Sequence, residues 1–302
     1  MAYWIDLDEL ALRQYIDAMA VFEACEAARS RVDAFSGGML WRTSKGHEYL
    51  IQTSSDNRQR SLGRRSAATE SMYEQFVTGK RTAQDRLRAL RQQMAIQYRM
   101  NRALRVGDVP ALLERILSAM DRRRLHDQVV VAGDCALFAY AAQAGVRLCA
   151  PPNAGNVPAP LSLHLWAASE SAKDLAFNAL RAADKSFIVR QVTRDRLEAT
   201  NAQGVTVEIR HDTQIAALVA PPGPLGLRKF STAVVTATGR MARMTAIPPT
   251  QYIMDAFHQA ARMDLTPAQS ALYAWRARAT QRLVECSLPH WGEAMETGPR
   301  PT

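Results

Sequence analysis

The stretch LSLHLW, residues 161 to 166, constrains the fold more than any other. Leu161, Leu163 and Leu165 alternate with Ser162, His164 and Trp166, which is the period of two that a β-strand with one buried face requires. The alternation returns in VTVEIR, where Val205, Val207 and Ile209 share one face and Thr206, Glu208 and Arg210 the other. A helical pattern over 169–183 separates the two segments. A strand that buries only one face needs a second layer to cover it, so this region predicts a sheet with helices packed against it.

The surrounding patterns extend that sheet. QVVVAG reads as a short strand, DCALFAYAAQAG as a helix ending at Gly145, and VRLCA as a second short strand before the loop PPNAGNVPAP. DRLEAT joins VTVEIR through the turn NAQG, APPGPLG reads as a linker or excursion, and FSTAVVTATGRMARMTAI reads as a hairpin. Two helices close the chain, the last opening with Thr266 as a cap and Pro267 at the first helical position. Towards the amino end, residues 3–34 read as one or two helices and GGMLWRTSKGHEYLIQTSS as a β-hairpin. SLGRRSAATESMYEQF then opens a long helix capped at Ser66, with Leu87, Leu90, Met94 and Tyr98 as its buried stripe. PALLERILSAMDRRRL gives a further helix. The expected class is α+β: an N-terminal helical region over 1–125 that carries the hairpin and the long helix, an α/β core over 126–247, and C-terminal helices over 248–302.

A net charge of +9 favours polyanionic partners, because sustained positive potential raises encounter rates with them. The long helix concentrates that charge. Arg81, Arg86, Arg88, Arg91, Arg99, Arg102 and Arg105 spread over several of its faces, and they are either a solvated helix surface or a phosphate-binding one, in which case those from Arg81 to Arg102 are the candidate nucleic-acid contacts. The four cysteines are far apart and form no CxxC pair, which suggests neither a disulfide framework nor a structural zinc site. No run of eighteen apolar residues occurs, and the first residues carry early acids without a basic-then-apolar order. The sequence therefore predicts no membrane span, no secretory signal and a cytoplasmic protein.

One ordered set of motifs carries more. WR…G…YL, then SLGRRS…TE…YEQF, a basic helix, NRALRVGDVPALLERIL and VVVAGDCALFAYAAQAGV together resemble the bacterial family named "Nucleotidyltransferase", a distant branch of the polymerase-beta-type superfamily. The likeness spans roughly residues 37–285. It implies a mixed-sheet core in which a strand of the form T-x-D-x-D-L-L and a third acid on a further strand hold two Mg²⁺ ions. Those ions clamp the attacking and leaving oxygens of phosphoryl transfer. On this pattern Ser162 and His164 stand at the two aspartates, Pro160 at the threonine, and Glu208 at the third acid. Gly133 and Asp134 occupy the nucleotide-binding turn, with an acid where the family has a small hydroxyl residue. Asp255 and Ala256 stand where a histidine-lysine pair is usual.

The resemblance thus implies a catalytically degenerate protein that binds nucleotide or nucleic acid, with a protein partner possible and no cofactor expected. The alternative is an active enzyme transferring a nucleotide to RNA or protein, in which Asp134 or Asp212 joins Glu208 to hold Mg²⁺. The residues leave two further readings open. One is a Ser162–His164 nucleophile-base pair, disfavoured because alternate residues on a strand sit about 6 to 7 Å apart. The other is a zinc site built from His164, Glu208, His211 and Asp212.

Overall fold

The computed structural model describes residues 3–149, 162–211, 215 and 229–288. The loop PPNAGNVPAP, Asp212 and the linker APPGPLG lie outside the described residues. The chain divides into two compact units, one formed by Gln14–Met100 and the other by Met1–Arg13 with Asn101–Thr302. Along the first hundred residues run β1 (Trp4–Asp6), α1 (Glu9–Ala34), β2 (Gly38–Ser44), β3 (His47–Thr53), β4 (Gln59–Arg64) and α2 (Ala67–Ala103).

In the 14–100 unit, β2, β3 and β4 form a three-stranded antiparallel sheet. The β2–β3 turn places Lys45 at φ 49° and Gly46 at φ 77°, two consecutive left-handed residues whose twist matches that of the strands they join. Cys25 and Ala28 of α1 are buried together with Leu87 of α2. The Trp41 ring lies 5.8 Å from that of Tyr73. Ser66 caps α2 as expected: its hydroxyl accepts from the Thr69 amide at 3.4 Å while the Thr69 hydroxyl accepts from the Ser66 amide at 2.9 Å. The segment ahead of that cap is strand β4 and not helical lead-in. A single helix fills most of the first segment, preceded by β1.

The second unit carries α3 (Ala111–Asp121), β5 (Val129–Ala132), a 3₁₀ turn (Gly133–Ala136), α4 (Leu137–Ala144), β6 (Val146–Leu148) and β7 (Ser162–Ala167). There follow α5 (Glu170–Ala183), β8 (Ile188–Val192), β9 (Arg196–Thr200), β10 (Thr206–Arg210), β11 (Phe230–Val235) and β12 (Met241–Ala246). Two helices, α6 (Pro249–Ala260) and α7 (Pro267–Ser287), end the described chain. A seven-stranded sheet runs in the order β11-β12-β5-β7-β10-β9-β8. β7 with β10 and β12 with β5 are parallel, and the other neighbours are antiparallel, so the sheet is mixed and the class is α+β. β1 pairs with β6 apart from it.

Period-two alternation in β7 and β10 does what it implies. Leu163, Leu165, Val207 and Ile209 are all buried and join Leu113, Ile116 and Leu180 of α3 and α5 in one core, whereas His164, Trp166 and Glu208 stay half-buried on the other face. Each fully buried leucine of this set contributes about 1.5–3 kcal/mol. On that other face, Trp166 and Val130 meet Pro248 and Gln251 at the start of α6. Gly145 closes α4 in the left-handed conformation, and Thr266 with Gln269 forms a reciprocal capping box at α7. Strand β8 has no counterpart in the sequence reading. No described helix is long and apolar enough to cross a membrane.

Candidate functional site

The half-buried face of the central strands collects the residues singled out by sequence. β7 and β10 are parallel neighbours whose register sets Ser162 beside Thr206, His164 beside Glu208 and Trp166 beside Arg210. Ser162, His164 and Glu208 therefore occupy two adjacent strands, although the Ser162 side chain lies outside what is described.

On its other edge β10 meets β9, and here like charges stand directly opposite: Glu208 faces Glu198 and Arg210 faces Arg196. Such opposition is destabilising unless a counter-charge bridges it. Arg196 supplies the bridge, its Nη2 lying 2.9 Å from Glu198 Oε2 and 2.8 Å from Glu208 Oε2. Arg210 Nε stands 3.7 Å from the other oxygen of Glu208. Glu208, with a side chain only 17% exposed, is thus held between two guanidinium groups.

The turn after β5 sits at the end of this row, since Ala132 pairs with His164. Gly133 has φ +64°, and a Cβ placed on it would come 2.9 Å from His164 Cδ2. The imidazole therefore packs against the side of the turn towards which a Cβ would point. Asp134 points elsewhere: the Tyr252 hydroxyl donates to its Oδ1 at 3.3 Å, and Arg276 Nη1 donates to its Oδ2 at 2.5 Å. This ties the turn to α6 and α7. Burial pushes the Tyr252 hydroxyl well above the usual phenol range, with the Asp134 charge adding to the effect, so Tyr252 remains a donor. Further along α6, Asp255 accepts from Gln251 Nε2, four residues before it, at 2.8 Å. Its carboxyl is raised, mainly by burial, against the opposing influence of that hydrogen bond, His258 and Arg210. Ala256 is buried in the core.

Mg²⁺ requires several hard oxygen ligands in near-octahedral array. The donors present do not fit it, because Asp134 and Glu208 are each engaged by arginine and the strand positions between them carry serine and histidine. Among the described residues, no group of three or more His, Cys, Asp and Glu side chains is placed to hold a metal ion. His211 turns its Nδ1 to the Ala167 carbonyl at 3.1 Å.

The α2 arginines form a separate feature. Arg81, Arg86, Arg88, Arg91, Arg99 and Arg102 are all exposed. At about 100° per residue, Arg81, Arg88, Arg91 and Arg99 fall within an arc of about 80°, with Arg86 well away from it. These four form a stripe, which follows from the spacing of seven, three and eight, while Arg86 stands on another face, so the set as a whole still spreads over more than one face. Asp85 lies 3.9 Å from Arg81 and 3.0 Å from Arg88, the one ion-pairing acid along the stripe among the described residues. Sequence reasoning missed Arg196, Tyr252 and Arg276. The first could have been found by counting register through the NAQG turn, but nothing local marks the other two. Set against protein-family models, curated protein sequences and solved structures, the chain matches none.

Proposed function

We propose that this chain is a catalytically degenerate nucleotidyltransferase-like protein, acting as a nucleotide- or nucleic-acid-binding module that performs no transfer. The observation that carries the reading is the Arg196–Glu208 contact at 2.8 Å. The acid at the family's third metal-ligand position is neutralised by a residue two strands from β7, and His164 stands in register beside it. The parallel β7–β10 pair within a mixed sheet supports the family likeness, since that likeness requires its acids on adjacent strands. The packing of His164 on the Gly133 turn and the Asp134–Arg276 pair support the loss of phosphate chemistry there. The arginine stripe of α2 supports polyanion contact by a route that needs no metal.

The test is thermal melting with each ribonucleoside triphosphate at millimolar concentration, with and without Mg²⁺, alongside binding of a labelled oligonucleotide at 50 and 200 mM salt. A site at 100 times its Kd would add about 2.7 kcal/mol. The expected outcome is no Mg²⁺-dependent rise in Tm, with oligonucleotide binding that weakens steeply as salt increases. A rise that requires Mg²⁺ would overturn the degenerate reading in favour of an active Mg²⁺-dependent transferase.

A further inference from the structure

The 14–100 unit holds fourteen Arg and Lys against nine Asp and Glu, so 87 of the 302 residues carry +5 of the total +9. Its three-stranded sheet sorts that charge by face. Arg42 of β2 pairs with Tyr49 of β3, and Tyr49 with Arg64 of β4, so the three side chains form one row across the sheet. The next row on this face pairs Ser44 with His47, and the turn beyond it carries Lys45. The opposite face holds Trp41, Leu50 and Glu48, and Arg65 satisfies both Glu48 and Glu70 there while lying 5.2 Å over the Trp41 ring. The one acid of β2, β3 and β4 is therefore on the far side and already paired.

On the basic face, Arg42, Lys45, His47 and Arg64 are exposed. Among the described residues no carboxylate pairs with Arg42, Lys45 or Arg64. Arg64 instead donates its Nε to the Tyr49 hydroxyl at 3.2 Å, with its guanidinium 5.9 Å from the ring centre. The result is a flat π-system framed by cations on both neighbouring strands. Polar stacking surface and unpaired cations together suit one chemistry above others: unpaired bases joined by phosphates, since stacking accepts any base and the cations follow the backbone.

We propose that the outer face of the β2–β3–β4 sheet binds single-stranded nucleic acid, with Tyr49 and Arg64 stacking a base and Arg42, Lys45 and Arg64 contacting phosphates. The surface belongs wholly to the 14–100 unit and does not rest on the degenerate cleft.

The experiment measures fluorescence anisotropy of a labelled 20-nucleotide single strand of mixed sequence against the full chain, at salt between 50 and 200 mM. Each phosphate contact to a single strand contributes about 0.7 to the slope of log K against log salt. The triple variant Arg42→Ala/Lys45→Ala/Arg64→Ala is expected to lower the slope by about 2. Tyr49→Ala should weaken binding about ten- to hundredfold with the slope almost unchanged. Arg42→Ala/Lys45→Ala, which leaves the Arg64–Tyr49 contact intact, gives the same test with a slope change of about 1.4 should the triple variant melt early. Wild-type affinity and slope in these variants would overturn the proposal. So would loss of binding only in Arg81→Ala/Arg88→Ala/Arg91→Ala, which would assign the contact to α2. Preference for duplex with a neutral Tyr49→Ala, or binding to anionic phospholipid vesicles and not to the oligonucleotide, would overturn it equally.

Discussion

Gly133→Ala tests the packing of the cleft at its tightest point. The backbone at φ +64° suits glycine, and an L-residue there costs about 1 kcal/mol. The new methyl would also stand 2.9 Å from His164 Cδ2 and 3.3 Å from Cγ, closer than carbon atoms tolerate. Displacing a half-buried ring is overpacking, worth about 1–3 kcal/mol. The sum is a loss of about 2–4 kcal/mol, and the two parts separate in a double-mutant cycle. In a His164→Ala background the clash disappears while the backbone cost remains, so the same substitution should then cost only about 1 kcal/mol. Urea unfolding of the four proteins at pH 7, read as midpoint with the slope held in common, measures both numbers. If Gly133→Ala costs the same with and without the imidazole, to within about 0.5 kcal/mol, the ring does not pack against the turn and the clash argument fails.

Two further perturbations address neighbouring groups. Arg276→Met leaves the Asp134 carboxylate with only the Tyr252 hydroxyl; because both partners are partly exposed, the loss should fall below the buried-pair range, at about 2 kcal/mol. Calorimetry should show Tm lowered by about 4–8 °C, with Asp134→Asn in the same chain restoring part of it. Asp255 titrates above its ordinary 3.8 in the folded chain, so the fold favours its protonated form. Its ionisation therefore costs stability as pH rises through the folded value, and that cost is absent below the unfolded one. Asp255→Asn should accordingly stabilise the protein at pH 7 and lose that advantage by pH 3.5, while keeping an oxygen for Gln251; equal effects at both values would refute the sign.

The parts of the fold that sequence revealed are those whose pattern is local. LSLHLW and VTVEIR declare a buried face by alternation, and Ser66, Gly145, Thr266 and Pro267 mark helix ends with their own side chains or backbone freedom. β4 was hidden because SLGR carries a bulge, Leu62, between the residues paired with Leu50 and Ile51, which breaks the period. β8 was hidden for a similar reason: Phe187 is buried but Ile188 and Val189 are both exposed, so no alternation can be read. In the candidate site, alternation showed that Ser162 and His164 share one strand face and that Glu208 lies on the polar face of another, but only the family resemblance set the three together. What neutralises the site was not legible. Arg276 reaches Asp134 from 142 positions away along the chain, and only the packing of α7 brings them together.

The edge strand β8 carries a hazard and its remedy in five residues. It ends the seven-stranded sheet with Ile188 53% and Val192 61% exposed, a combination that in a straight strand would recruit a second molecule into a growing ribbon. The shift of register between Val189 and Gln191 interrupts the line of free amides and carbonyls and puts the exposed Arg190 at the break. An incoming chain would have to match a bend and desolvate a cation to continue the ladder, so the irregularity of this strand works against edge-to-edge pairing.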